Sequence, residues 1–256
     1  MKLINIIKRS LPIEKRLKLL YIYRSILGRF NMFNLNRLAL IHKTDKYGIH
    51  NYTPHYHSHF KHLRLKKIQL LEIGVGGYEN PLIGGNSLRM WKSYFPFAKI
   101  ISLDIFNKAF LQERRIKIYQ GSQIDELFLN SLIQNEGEFD IVIDDGSHIN
   151  EHVIKTFEII FPKLKNGGIY VVEDTQTSYW EGFGGSSYEF NKTGTIYSFF
   201  KSLIDSMNSE EFIIKDYNKS FYDKHIVSMH FYHNMIFVYK GINNERSNKK
   251  MIYSES

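Results

Sequence analysis

Between residues 68 and 173 the chain alternates short apolar runs with longer stretches of helical spacing, and this alternation restricts its fold more than any other feature. Residues 68–75 (IQLLEIGV) read as a buried strand that runs into a glycine turn. Residues 99–105 (KIISLDI), 116–120, 139–144 (FDIVID) and 168–172 (GIYVV) read as four more strands. Helical candidates lie between them, near 86–94, 123–134 and 150–163. Near-continuous apolar strands suit a sheet covered on both faces. Strands that alternate with helices pair in parallel, because only a long crossover returns the chain to the same end of the sheet. The expectation is an α/β fold with a mostly parallel sheet and helices on both faces.

The two ends read differently. Ile13, Leu17, Leu20, Tyr21 and Ile26 recur at helical spacing among basic residues. They predict an N-terminal helix over 13–30 that docks on a core, a partner subunit or a membrane surface. Residues 211–217 and 228–240 read as strands with a tight connection at His233-Asn234, which predicts an antiparallel hairpin at the sheet edge. Residues 181–195 (EGFGGSSYEFNKTGT) read as a mobile loop after the fifth strand. The expected division is a helical extension over 1–60, the α/β domain over 61–242 and a polar tail over 243–256.

Several classes fall away on composition. The 256 residues include no cysteine, so there is no disulfide scaffold, thiolate metal site or thiol nucleophile. No run of 18 apolar residues offers a spanning helix. The opening MKLINIIKRS starts like a signal peptide, but Lys8 and Arg9 interrupt a short apolar run and no small-residue cleavage site follows. The expected location is therefore cytoplasmic. The formal charge is +8, with much of the excess in Lys2, Lys8, Arg9, Lys15, Arg16, Lys18, Arg24 and Arg29. Such a stretch attracts nucleic acid, anionic lipid or a phosphorylated substrate, or is a solvated helix face.

In open α/β sheets, ligands bind beyond the carboxyl ends of the strands. Here those ends are chemically marked. Glu72, Gly74 and Gly76 close the first strand, where glycine lets the backbone approach a ligand. Asp104 closes the second, placed to accept from ribose hydroxyls. Gln120-Gly121-Ser122-Gln123 closes the third, where an adenine edge could be read. The glycine run alone fits an NAD turn or a flavodoxin-like turn equally. Glu79 stands where the dinucleotide fingerprint needs its third glycine, which argues against dehydrogenase chemistry.

Asp144 and Asp145 close the fourth strand, followed by Gly146-Ser147-His148; Glu173 and Asp174 close the fifth. Neighbouring strand ends direct Asp145, Glu173 and Asp174 into one cleft, an oxygen-rich site for a hard cation such as Mg²⁺. Carboxylates this close repel one another without a counter-ion. Helix capping is the competing reading for Asp145 and Ser147.

Together these segments resemble the metal-dependent sugar O-methyltransferases of macrolide biosynthesis and the related cephalosporin hydroxylase-like methyltransferases. The matching pieces are Thr44-Asp45-Lys46, His50, Tyr52-Thr53-Pro54-His55-Tyr56, Leu71-Glu72-Ile73-Gly74, Gly85-Asn86-Ser87-Leu88-Arg89-Met90-Trp91, Asp144-Asp145-Gly146-Ser147-His148 and Val172-Glu173-Asp174-Thr175, within residues 44–180. The resemblance implies a class I, Rossmann-like methyltransferase fold with S-adenosylmethionine as methyl donor. It implies Mg²⁺ held at Asp145, Glu173 and Asp174, with His148 as general base. It implies donor contacts from Glu72, Gly74, Gly76, Ser87, Asp104, Ser122, Gln123 and Asp144. Tyr56, Tyr179 and Trp180 are acceptor-side candidates. The expected acceptor is a sugar or nucleotide-linked sugar, destined for a surface polysaccharide or a glycosylated natural product, and the expected assembly a homo-oligomer. Only about 67 residues precede the first strand, fewer than the macrolide enzymes carry there. A nucleic-acid methyltransferase using the basic surface is the alternative, although it leaves the three carboxylates unexplained.

Overall fold

A computed structural model describes residues 11–247. The signal-like start with Lys2, Lys8 and Arg9, and the tail beyond 247, lie outside the described residues. Seven strands form one sheet: β1 (Gln69–Ile73), β2 (Lys99–Asp104), β3 (Ile116–Gln120), β4 (Ile141–Asp144), β5 (Ile169–Glu173), β6 (Ile226–Tyr232) and β7 (Met235–Lys240), in the order β3-β2-β1-β4-β5-β7-β6. The mixed α/β fold expected from the alternation is present, with each of the first five strands at its predicted place.

The chain divides into two compact units. Among the described residues, the first holds 11–68, 75–102 and 106–120. Its helices are α1 (Ile13–Phe30), α2 (Leu35–His42), α3 (Thr53–Phe60) and α4 (Asn86–Tyr94). Its centre is aromatic: the Tyr56 and Trp91 rings meet edge to face at 4.8 Å, and Phe60, Tyr94 and Phe95 complete the cluster. Gly28 lets α1 lie close on α4, since a Cβ there would sit 2.7 Å from Ser93 Oγ. The Arg89 guanidinium is buried 3.6 Å from the centroid of the Tyr21 ring. It donates to the Gly84 and Gly85 carbonyls and pairs with Glu113 at 3.6 Å. Only part of the apolar set on α1 docks on its own unit. Tyr21 is buried, whereas Ile13, Leu20 and Ile26 are exposed, because the contact is built on small Gly28 and half-buried Arg24 rather than on bulk apolar side chains.

Among the described residues, the second unit holds 69–74, 103–105 and 121–247. Its helices are α5 (Glu126–Glu136), α6 (Asn150–Ile160), α7 (Ile196–Met207) and the short α8 (Phe221–His225). β1, β4 and β5 pair in parallel, with Ile73 opposite Asp144 and Asp144 opposite Val172. β7 lies antiparallel to β5, and β6 lies outside it, joined by the His233-Asn234 turn with Asn234 at φ 59°. The predicted strand over 211–217 does not form. The β7 strand is flanked by β5 and β6, and residues 211–217 do not pair with the outer edge of β6. The apolar stretch 228–240 instead folds back on itself as most of the hairpin. α7, unread in the sequence, is capped by Thr195 and buries Ile196, Phe200 and Leu203. Phe200 meets Phe157 of α6 edge to face at 4.9 Å.

Candidate active site

The carboxyl ends of β4 and β5 bring Asp145, His148 and Asp174 together: one donor atom from each lies within 4.8 Å of the others. His148 Nε2 sits 4.0 Å from Asp145 Oδ1 and 3.7 Å from Asp174 Oδ2. His148 Nδ1 is buried without a hydrogen-bond partner. Each of the three side chains keeps partial access to solvent. The backbone at this point is unusual, since His148 (φ 56°) and Asp174 (φ 53°) both occupy the left-handed region although neither is glycine. That conformation costs on the order of 1–3 kcal/mol per residue and persists where surrounding structure enforces it. Glu173, the third expected carboxylate, is 2% exposed at the end of β5, and the cluster forms around Asp145, His148 and Asp174.

The two carboxylates suit a divalent cation, with the imidazole beside them: hard oxygen donors favour Mg²⁺ or Mn²⁺, and positive charge relieves the repulsion between Asp145 and Asp174. The loop that carries Asp145 is held from several sides. Asp145 N donates to Ile73 O at 3.1 Å. Gly74, at φ 90°, passes so close that a Cβ would lie 2.2 Å from the Asp145 carbonyl oxygen. Ser147 N donates to Gln123 Oε1 at 2.8 Å, and Gly146 leaves no room for a Cβ beside that same oxygen.

Gln123 was expected to read an adenine edge. It is buried, and both ends of its amide are engaged: Nε2 donates to Asp144 Oδ1 (3.3 Å) and Thr156 Oγ1 (3.1 Å), Oε1 accepts from Ser147. It therefore positions the β4 loop. Asp144 is fully buried, and loss of water pushes its carboxyl up to about 7, opposed by donors at Gly146, Gln123 and Tyr170. The Tyr170 hydroxyl donates to Asp144 Oδ2 at 3.4 Å. Thr156, which bonds Gln123, and Tyr170, which bonds Asp144, are supports that the sequence reading missed; both lie in regular structure, where nothing in sequence marks a buried hydroxyl as such a partner.

Other expected donor contacts fall in both units. In the second, Gly74 N donates to Leu103 O, and Gly121 N donates to Asp104 O, each at 2.9 Å. These bonds tie together the strand ends that carry Gly74, Asp104 and Ser122. Glu72 is fully buried in β1. In the first unit, Gly76 has φ 77° and nothing within 4 Å of where a Cβ would stand, an open cradle of the kind a cofactor backbone contact needs. Ser87 lies in the first turn of α4, which starts at Asn86.

On the acceptor side, Tyr56 is fully buried in the aromatic cluster, so its ring packs the core instead of lining a cleft. Tyr179 and Trp180 are exposed at 38% and 49% on the segment after β5. Tyr179 packs against Phe190 and Tyr197, and Trp180 against Phe183. Asn150, also missed, organises this segment from the start of α6. Its amide donates to Thr177 O (3.0 Å) and Phe183 O (2.7 Å), and its oxygen accepts from Ile196 N (2.7 Å).

This chain is similar to several known proteins. The mycinamicin VI 2''-O-methyltransferase of Micromonospora griseorubida is 47% identical over 215 residues, 83% of this chain and 54% of that protein. The chain is a homologue of the macrolide sugar O-methyltransferases. Demethylmacrocin O-methyltransferase of Streptomyces fradiae is 46% identical over 215 residues, with the same shares of each chain. A tetracenomycin-C rhamnosyl 3'-O-methyltransferase of Streptomyces olivaceus is 43% identical over 214 residues, 83% of this chain and 55% of that one. The crystal structure of the MycE methyltransferase from the mycinamycin pathway, in complex with Mg and SAH, matches with a TM-score of 0.81 at 43% identity, covering 87% of this chain and 60% of that one. The fold of the homologue is thus that of a class I methyltransferase. The chain spans about half the length of the curated relatives it matches. No protein-family profile matches it. Among the described residues no helix is long and apolar enough to cross a membrane.

Proposed function

We propose that this chain is a divalent-metal-dependent O-methyltransferase that transfers the methyl group of S-adenosylmethionine to a sugar hydroxyl on a glycosylated natural product. The observation that carries the reading is the Asp145, His148 and Asp174 cluster at the ends of β4 and β5. The named relatives act on sugars of macrolides and tetracenomycins, which supports a glycoside acceptor over the nucleotide-linked polysaccharide sugar anticipated from charge. Their names also weigh against the nucleic-acid alternative.

Asp145 and Asp174 are the residues to hold the cation, with neighbouring Glu173 as the further carboxylate expected there. When bound, the cation supplies positive charge that makes an adjacent hydroxyl more acidic, and S-adenosylmethionine supplies an activated methyl group. His148 Nε2, facing both carboxylates, takes the hydroxyl proton. Gln123 and Gly74 keep the Asp145 loop in register, so that the base and the carboxylates hold one geometry. Tyr179 and Trp180 cover the sugar face and exclude water.

The test is a thermal-shift titration with S-adenosylhomocysteine, with and without Mg²⁺, followed by methyl transfer to a panel of glycosylated macrolides. Stabilisation by the cofactor product and chelator-sensitive transfer are expected. Full activity in excess chelator would remove the cation from the reaction, and transfer only to RNA would reverse the choice of acceptor.

A further inference from the structure

The outward face of α1 has no role in the chemistry above, yet it is the most unusual surface of the described chain. Leu19, Ile22, Tyr23 and Ile26 are each between 49% and 59% exposed, and Phe30 is 84% exposed. Positions 19, 23, 26 and 30 step by four, three and four, so they form a single stripe. That stripe faces away from the buried Tyr21 and Gly28, which dock the helix on its own unit. Lys15 and Arg16 are exposed beside the stripe, and Lys18 and Arg29 are exposed on its flank, with Lys18 Nζ 5.3 Å from the centroid of the Phe110 ring.

The charge of the chain is concentrated here. Residues 1–30 contain eight Lys and Arg against Glu14 alone, a net +7, while the whole chain is +8. The remaining 226 residues are therefore close to neutral, at +1. An apolar stripe on a basic helix fits an interface that is both oily and anionic. A second copy of this chain would set basic stripe against basic stripe. Nucleic acid would answer the charge but leave five large apolar side chains in water.

We propose that α1 is an interfacial helix that seats this protein on an anionic lipid bilayer, with Leu19, Tyr23, Ile26 and Phe30 entering the headgroup boundary and the flanking Lys and Arg facing the lipid phosphates. The helix lies in the plane of the surface and does not span it, consistent with its basic content.

The experiment is co-sedimentation of the full chain with vesicles of phosphatidylcholine alone or with about one third phosphatidylglycerol. Binding to the anionic vesicles is expected to exceed binding to neutral ones by at least about tenfold and to fall as salt rises. Ile22→Ser with Ile26→Ser should abolish it, as should Lys15→Glu with Lys18→Glu. All four side chains are exposed, so an unchanged circular dichroism melt verifies that the fold survives. Equal partition into both vesicle types, no partition into either, or retention of binding by both double variants would overturn the proposal. So would a dimer in light scattering that the Ile22→Ser, Ile26→Ser variant dissolves without any lipid binding, since the stripe would then belong to a second copy. Binding of RNA but not vesicles through the same lysines would overturn it too.

Discussion

Replacing Gly74 with alanine tests how closely the first strand's turn is coupled to the cation cluster. Gly74 has φ 90°, and its missing Cβ would stand 2.2 Å from the Asp145 carbonyl oxygen. Ordinary contact begins at 3.4 Å, so the Asp145 main chain must retreat by roughly 1 Å. Metal sites tolerate about 0.2 Å in ligand distances, so a shift of that size spoils the donor geometry. The positive φ adds a backbone cost of order 1–3 kcal/mol. The expected result is a stability loss of about 2 kcal/mol, seen as a Tm lower by roughly 4–8 °C, together with at least about tenfold weaker Mn²⁺ or Mg²⁺ binding by calorimetry. Gly76→Ala is the control. It carries a similar φ of 77°, but its Cβ meets nothing within 4 Å. It should lower Tm, leave the cation affinity alone and weaken S-adenosylhomocysteine binding by filling the cradle. A folded Gly74→Ala protein that binds metal like the parent would refute the coupling.

Asp145→Asn and Asp174→Asn should each lower cation affinity at least about tenfold, and by more than Glu173→Gln does; the reverse order in a calorimetric titration would place Glu173 ahead of the observed cluster. Asn150→Ala frees the segment after β5 from three hydrogen bonds, so KM for the acceptor should rise several-fold while cation affinity holds. His42, buried on Ser93, has its imidazole lowered to about 3, chiefly by burial and then by Arg89, Arg24 and Lys92. The unfolded chain takes up this proton near pH 6.5, so stability is intact above that and is lost as pH falls toward 3, by a total on the order of 5 kcal/mol. The opposing contribution of Asp144 cancels when the denaturation profile of His42→Gln is subtracted from that of the parent, and a flat difference between pH 6.5 and 4 would contradict this.

The alternation of apolar runs and helical stretches determined the parallel part of the sheet by itself, because a strand covered on both faces and a long crossover leave a local signature. Strand-end chemistry was legible for the same reason, since in such sheets position in the chain sets position in space: the sequence directed Asp145, Glu173 and Asp174 into one cleft, whereas the structure gathers Asp145, His148 and Asp174 and buries Glu173 at the end of β5. Tertiary structure alone decided the rest. Residues 211–217 look as strand-like as the hairpin that follows, but a strand exists only where it pairs, and the sheet ends at β6 without them. Tyr56 and Gln123 are both polar-tipped residues, and only packing sends one into an aromatic core and commits the other to the β4 loop. The docking face of α1 depended on Gly28, whose absent side chain is an invitation that no apolar periodicity records. The left-handed backbone at His148 and Asp174 was likewise not read from the sequence, although aspartate and histidine adopt it more readily than most residues.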